Sequence, residues 1–176
     1  MKKYRLTEET IRVGNRTLYR IQALRDFGEV KEGELGGYIE AEKNLSQCCD
    51  AWVSGNAWVS GNALVYGDAW VSDNAWVYGN ARVSGNACVY GNARVYGNAD
   101  IKTTGDICSM SGFGSEYRTT TAFRTKNGDV HVSCGCFQGN LEAFCQRVES
   151  TYGNNLYGRE YKKMIEMLKI HFEVEP

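Results

Sequence analysis

The sequence predicts a β-solenoid, in which short strands and tight corners coil around one axis. A six-residue unit recurs ten times without a break from Asp50 to Ser109. An aliphatic residue returns at every sixth position, first as Val53 and last as Ile107. Four residues after each aliphatic residue but the last comes Ala, or once Gly105. This strict period fits neither a helix, whose period is about 3.6, nor a simple strand, whose period is about 2.

The interior and the corners of the solenoid follow from the same unit. Side chains alternate across a strand, so the aliphatic residue and the alanine, an even number of positions apart, both point inward. Gly-Asn, Gly-Asp and Asp-Asn pairs between units tolerate the positive φ that a tight corner requires. The only proline is Pro176, so no proline interrupts hydrogen bonding between coils.

The unit Val53-Ser-Gly-Asn-Ala-Trp58 resembles the hexapeptide repeat of left-handed parallel β-helices. That resemblance implies three units per triangular coil, hence a little over three coils spaced by roughly 4.8 Å. The alternative is a right-handed solenoid, as in bacterial cytoskeletal filament proteins, whose repeats are less regularly six residues long.

The segments outside the array predict two further regions. Residues 1–49 hold a β-hairpin around Val13-Gly-Asn-Arg16. The stretch Val30–Ile39, with Leu35 and Ile39 four residues apart and glycines between them, is interpreted as an imperfect entry coil. We expect this region to cap the solenoid, whose open end would expose unpaired backbone groups. The array itself spans residues 50–109.

Residues 110–176 predict a small α+β module. Ser111–Ser115 is interpreted as a linker, and Lys126-Asn-Gly128 as the turn of a second hairpin. Asn140 offers an N-cap for a helix that ends at Gly153. A last helix carries apolar residues from Tyr161 to Phe172 at helical spacing. The predicted fold class is therefore mainly β: a left-handed β-helix with a hairpin cap and a C-terminal hairpin with two helices.

Composition narrows the classes of function. The net charge is −1, from 20 basic and 21 acidic residues, so no basic field favours duplex nucleic acid. No apolar run has the length of a membrane span or a signal-peptide core, which predicts a cytoplasmic protein without membrane contact. The seven cysteines are odd in number and are expected to be reduced. Cys134, Cys136 and His131 lack a clear fourth zinc ligand, so no metal site is predicted.

Outward-facing side chains of the array form the candidate binding surface. Tryptophans occupy the position before the valine in four of the first five units, and tyrosines follow the valine in later units. Exposed aromatic residues in such number indicate contact with a subunit, a ligand or a partner. The candidate binding or interface residues are Trp52, Trp58, Trp70, Trp76, Tyr66, Tyr78, Arg82, Tyr90, Arg94 and Tyr96.

Two uses of this surface are open. The aromatic ladders can pack in a homotrimer, the common assembly of left-handed β-helices, or beneath the chain's own hairpin or C-terminal module. They can instead stack on nucleotide bases or a partner protein, with Arg82 and Arg94 contacting phosphates or carboxylates.

The rival class is an acyltransferase, because many hexapeptide-repeat proteins transfer acyl groups from acetyl-CoA or an acyl carrier protein. Those enzymes present a histidine base between coils and a loop extruded from the array. Here His131 and His171 lie outside the array, which has no insertion. A nucleophilic pair of Cys134 and His131 lacks a third orienting group. We therefore expect no catalytic residues and no cofactor.

The chain resembles a group of phage and prophage-borne bacterial proteins. The likeness rests on the leader segments KYRLTEET, LYRIQALRDFGEV and GELGGYIEAEKNLS, on the array, and on the tail segments VSCGCFQGNLEAF and KMIEMLKIHF. The resemblance covers nearly the whole chain. It implies a counter-defence role in an infected or lysogenic host. Such a protein would sequester a cyclic or ADP-ribose-type nucleotide signal, as a sponge, or occupy a host defence protein such as a CRISPR effector. A structural virion or filament protein is the remaining alternative.

Overall fold

The computed structural model describes residues 2–174 and confirms the predicted fold class, a β-helix with an N-terminal hairpin and a C-terminal α+β module. Strands β1 (Tyr4–Val13) and β2 (Arg16–Ala23) form the hairpin, and β2 pairs antiparallel with β3 (Leu35–Ile39). Strand β3 then pairs in parallel with the array, with Tyr38 opposite Trp58. The hairpin therefore continues one sheet of the solenoid.

Nine two-residue strands form the array, and each of the first six pairs in parallel with the strand 18 residues further along the chain, as Trp70 pairs with Cys88. Three faces result. The first face holds β3, β5, β8 and β11, the second β4, β7 and β10, and the third β6, β9 and β12. The strands are β4 (Trp52–Val53), β5 (Trp58–Val59), β6 (Leu64–Val65), β7 (Trp70–Val71), β8 (Trp76–Val77), β9 (Arg82–Val83), β10 (Cys88–Val89), β11 (Arg94–Val95) and β12 (Asp100–Ile101).

The predicted interior is confirmed, because every valine and alanine of the array from Ala51 to Ala99 is buried. Full burial of a valine side chain stabilises a fold by roughly 1.5–3 kcal/mol relative to its exposure. At one corner Asp73 takes the place of glycine with a φ of 59°. Its carboxylate accepts a hydrogen bond from the backbone N–H of Gly91 in the next coil, at 2.8 Å, which adds a side-chain bond between the two coils at this corner.

The solenoid begins one coil earlier than the regular units. Ile39, Leu45 and Val53 face the interior of this first coil, and Leu45 bridges Val65 of the next. The spacing from Leu45 to Val53 exceeds six residues, so the strict six-residue period does not extend into this coil. Asn44 is buried there and donates to two carbonyls of the following coil, at 3.1 and 2.9 Å.

The structure corrects the end of the array. The tenth predicted unit does not form a coil, because Ile107 instead begins β13 (Ile107–Phe113), which pairs antiparallel with β14 (Arg118–Arg124). Asp106 closes the turn before it by accepting hydrogen bonds from the backbone N–H groups of Lys102 and Thr103, at 3.0 and 2.9 Å. Part of the predicted linker is accordingly strand, and the Ser111 hydroxyl lies 2.7 Å from that of Thr119.

The C-terminal module is a four-stranded antiparallel sheet covered by two helices. Strands β13 and β14 are followed by β15 (Val130–Cys134) and β16 (Phe137–Asn140) in sequential order. Helix α1 (Leu141–Tyr152) is N-capped by Asn140, and α2 (Leu156–His171) by Asn155, each through its side-chain oxygen. No helix between residues 2 and 174 is both long and apolar enough to cross a membrane.

Both ends of the solenoid are covered. At the N-terminal end Trp52 packs edge-on against Tyr4 and Phe27, with ring centroids 6.3 and 5.3 Å away. At the other end the buried Phe123 of β14 packs edge-on against Tyr96, at 5.2 Å. These aromatic residues take the place of the next coil at each end.

Candidate functional site

The structure distributes the ten candidate residues over three faces, so they do not form one surface. Trp58, Trp76, Tyr78, Arg94 and Tyr96 lie on the first face. On the second face are Trp52 and Trp70, with Tyr90 beside the strand β10, and the third face carries Tyr66 and Arg82.

The predicted stacking between coils is present on the first face. The rings of Trp58 and Trp76 stack with centroids 5.1 Å apart, and the Arg94 guanidinium lies 4.2 Å from the Trp76 ring centroid. Tyr78 and Tyr96 stack at 5.8 Å. A cation placed over an indole ring is attracted by its π electrons, which fixes the position of the Arg94 head group.

Two of the candidate tryptophans are corrected by their burial. Trp52 has no exposed surface, because Tyr4 and Phe27 of the N-terminal cap cover it. Trp58 is 8% exposed and packs in a cluster with Leu18 and Tyr38. Both side chains are therefore core residues and are not available to a ligand or another subunit.

The remaining candidates are open to solvent to different degrees. Trp70, Trp76, Tyr78, Arg94 and Tyr96 are half-buried. Tyr66 and Tyr90 are exposed, at 39% and 57%, and Arg82 is exposed on the third face.

A cleft opens where the last coil meets the C-terminal module. The solenoid contributes Asn92 and Arg94, the start of β14 contributes Arg118 and Thr119, and the turn between β15 and β16 contributes Gly135 and Cys136, around a volume of about 530 Å³. A hydrogen bond from the Arg94 backbone N–H to the Thr121 hydroxyl, at 3.2 Å, ties the two walls together.

The Arg118 side chain lies so close to the backbone of Gly135 that this position requires a glycine. Its φ is 59°, and a Cβ atom added there would lie 2.5 Å from the Arg118 Nη1 atom. Glycine at this turn therefore lets the Arg118 side chain lie directly across the backbone. The antiparallel register that sets Thr120 opposite Cys134 brings this turn to Arg118.

A second, smaller pocket of about 180 Å³ adjoins the cleft and shares Arg118 and Cys136 with it. Its lining includes four aromatic residues, together with Arg147 of α1 and the carboxylate-bearing Glu116. The aromatic residues of the lining are Phe137, Phe144, Tyr152 and Tyr161.

Two of the polar groups in this pocket are bonded to each other. The Cys134 thiol lies 3.2 Å from the Thr120 hydroxyl and 3.7 Å from the Tyr161 hydroxyl. Burial, followed by the hydrogen bond to Cys134, raises the pKa of Tyr161 well above its ordinary value. Tyr161 therefore stays a neutral phenol even at alkaline pH, and its hydroxyl is paired with the Cys134 thiol.

Three guanidinium groups surround the cleft and pocket with few protein counter-charges. Between residues 2 and 174, neither Arg94 nor Arg147 forms an ion pair, and Arg118 approaches Glu116 only to 3.8 Å. Guanidinium groups bind phosphate and carboxylate through paired N–H donors. The arrangement can therefore hold an anion in the cleft and an aromatic ring in the pocket.

The other chemistry-bearing residues are used structurally. His131 lies on β15 with its ring 6.3 Å from that of Phe123, and His171 Nε2 lies 3.0 Å from the Gly105 carbonyl oxygen. In the part of the chain that the structure describes, no three His, Cys, Asp or Glu residues gather as a metal site. Cys134 and Cys136 line the aromatic pocket instead.

Sequence reasoning predicts Arg94 but misses Arg118, Arg147, Tyr152 and Tyr161. These residues follow no period, and only the pairing of β14 with β15 and the packing of α1 bring them together. The available signal was Gly135 between two cysteines, which marks a tight turn next to a strand.

The fold and the cleft define a β-solenoid repeat protein with a candidate anion-binding site. In agreement, residues 57–73, 75–91 and 87–99 are similar to the family model of the YdcK Beta solenoid repeat. All three stretches lie within the solenoid, so the similarity concerns the repeat and not the hairpin or the C-terminal module. No curated protein matches the chain.

Proposed function

We propose that this chain is a non-enzymatic binding protein for a nucleotide-type ligand, one that joins an aromatic ring to phosphate groups. The observation that carries the proposal is the cleft lined by Arg94 and Arg118, which continues into the aromatic pocket beside Arg147. The guanidinium groups bind the phosphates, and the pocket holds the ring.

The volumes of the pocket and the cleft agree with a ligand whose aromatic ring lies in the pocket and whose phosphates lie in the cleft. A dry cavity of about 150 Å³ holds benzene, so a pocket of about 180 Å³ fits one base of similar size in van der Waals contact. Phe137 and Tyr152 lie on its lining, where aromatic side chains can pack against a base. The cleft of about 530 Å³ leaves room for more than one phosphate.

The biological setting of the proposal is phage counter-defence. The resemblance to phage and prophage-borne proteins supports it, and a cytoplasmic sponge for a cyclic or ADP-ribose-type immune signal is the form that the cleft favours. Sequestration requires tight binding without turnover, which agrees with a site built from arginine and aromatic residues.

Depletion of ligand from solution tests this proposal. Purified protein incubated with cyclic dinucleotides or with ADP-ribose should remove one class from the filtrate and release it intact on denaturation. Arg118→Ala should weaken binding about 10- to 100-fold, since a hydrogen bond to a charged group contributes roughly 1.5–3 kcal/mol. Recovery of degraded nucleotide would instead indicate an enzyme, and no depletion of any class would reject the proposal.

Arg82→Ala is the matched control for this experiment. Arg82 occupies the same repeat position as Arg94 but lies exposed on the third face, away from the cleft. Its substitution removes an equal charge and should leave binding unchanged. Thermal unfolding of each variant separates loss of binding from loss of fold.

A second candidate function is occupation of a host defence protein, such as a CRISPR effector, and the second face favours it. Trp70 is half-buried there and Tyr90 is 57% exposed. Aromatic residues on an open surface are typical of protein interfaces. Trp70→Ala with Tyr90→Ala should abolish co-purification with the defence protein while nucleotide depletion stays intact.

We further propose a homotrimer whose seam uses the second or third face. The exposed side chains of Tyr66 and Tyr90 support a seam on these faces. Trp52 and Trp58 do not support one, because the same chain already covers them. Light scattering tests this assembly, and a monomeric mass would reject it. The covered ends of the solenoid disfavour the filament alternative, because coils of neighbouring chains cannot stack end to end.

A further inference from the structure

One apolar patch on the C-terminal module is exposed and has no role in the cleft. Helix α2 contributes Leu156, Met167 and Ile170, with 58%, 60% and 78% of their surface exposed, and β13 contributes Phe113, 40% exposed. A groove of about 480 Å³ runs between the helix and this strand. The opposite face of α2, with Tyr161, Ile165 and Leu168, is buried against the sheet and α1.

The exposed residues of α2 lie on one line along the helix. Leu156, Lys163, Met167 and Ile170 are separated by seven, four and three residues, the spacing of the contact positions in paired helices. Because the exposed and buried stripes lie on opposite sides, α2 has two contact faces and the described chain covers only one of them.

The charges beside this line are complementary to those of a second α2 helix that lies antiparallel to the first. Arg159 and Glu166 lie on one flank, seven residues apart, where both side chains reach solvent. In an antiparallel pair centred near Lys163, Arg159 of each copy faces Glu166 of the other, and Leu156 faces Ile170. In this pair Lys163 lies near Lys163 of the other copy. Each lysine forms an ion pair with Glu166 of its own helix, with the Lys163 Nζ atom 2.8 Å from Glu166 Oε2.

We propose that α2 is a dimerisation helix, through which two copies of this chain pair antiparallel about a twofold axis near Lys163. The inference goes beyond nucleotide binding and does not depend on it. The groove beside Phe113 widens the apolar contact, and the two reciprocal ion pairs fix its direction. If the trimer seam also forms, the twofold contact joins trimers in pairs, so the assembly contains an even number of chains in either case.

Sedimentation velocity of the full chain tests the proposal. The wild-type mass should be an even multiple of the chain mass, and Ile170→Glu should halve it, because the substitution places two carboxylates in the apolar seam. Leu35→Glu is the control: Leu35 is 46% exposed on β3, far from α2, and its substitution should leave the mass unchanged. Equal melting temperatures show that the variants fold.

Charge reversal tests the antiparallel register. Glu166→Arg alone should weaken dimerisation about tenfold or more through like-charge contacts, whereas Arg159→Glu combined with Glu166→Arg restores complementarity and should recover the wild-type dissociation constant. A wild-type monomer or trimer, an Ile170→Glu variant of unchanged mass, or a double variant as weak as the single one would each overturn the proposal.

Discussion

Lys3 shows how one residue ends a solenoid. It is fully buried, and its ammonium group donates hydrogen bonds to the carbonyl oxygens of Ala51, Cys49 and Cys48, at 2.7, 3.2 and 3.4 Å. These carbonyls have no further coil to pair with, so the side chain replaces the missing N–H donors. Desolvation lowers the pKa of this ammonium group to about 8.

This lowered pKa predicts a pH dependence of stability. Between pH 8 and about 10.5 the unfolded chain holds a proton on Lys3 that the folded chain has released, so folding becomes more favourable as pH rises through that window. From pH 7.5 to 9.5 the free energy of unfolding should gain about 1–2 kcal/mol from this group. Urea unfolding of wild type and Lys3→Met measures it; a gain of equal size in the variant would assign the effect to another residue.

The burial of Trp52 predicts a purely structural effect of its removal. Trp52→Ala empties a site enclosed by Tyr4 and Phe27, and should cost about 3–5 kcal/mol of stability. Nucleotide binding below the new melting temperature should be unchanged, because the residue lies at the end opposite the cleft. A variant of native stability that no longer binds would contradict its assignment to the core.

At the scale of single residues, the sequence predicts the direction in which a side chain points better than it predicts which residues cover that side chain. The position before each valine points outward, and the ladders of Trp58 with Trp76 and of Tyr78 with Tyr96 form as the six-residue period requires. What covers an outward side chain depends on residues far away in the chain, such as Tyr4 over Trp52. Period alone therefore cannot separate a buried tryptophan from an exposed one.

Among the elements, β3 has a strict backbone requirement for glycine. A Cβ atom added to Gly37 would lie 2.8 Å from the Val53 Cγ1 atom and closer still to the Ala57 carbonyl oxygen. Neither atom can move without opening the first coil. The paired glycines thus let β3 enter the solenoid interior.

Gly37→Ala should therefore lower the free energy of unfolding by about 2 kcal/mol or more through overpacking. Gly105→Ala is the matched control, since the nearest atom to its added Cβ lies 3.6 Å away and its φ is not positive. Denaturant unfolding of both variants checks the difference. Equal stabilities would show that the first coil is looser than the structure indicates.

Elements are predictable where a local signal repeats. The two-residue strands, the hairpin turn at Gly14 and the N-cap at Asn140 each follow from neighbouring residues. The first coil is predicted only as an imperfect one because its spacing is irregular. The tenth unit is predicted wrongly because Ile107 keeps the period while Asp106 closes a turn that redirects the chain.

For the whole molecule, the cap over the last coil and the cleft have the same origin. The β14 strand that covers the last coil with Phe123 also carries Arg118 to the solenoid wall that bears Arg94. Residues that lie far apart in the sequence therefore form one cationic site. Arg94 is predictable from its repeat position, whereas Arg118 and Arg147 become functional candidates only once the module is placed on the solenoid.

Native mass spectrometry of protein purified from phage-challenged, defence-active cells tests the central claim most directly. We predict that the wild type and Arg82→Ala carry a nucleotide-sized mass that denaturation releases intact, and that Arg94→Ala with Arg118→Ala lacks it. A bare wild-type protein, or the same retained mass in the double variant, would contradict the assignment of the cleft as the binding site.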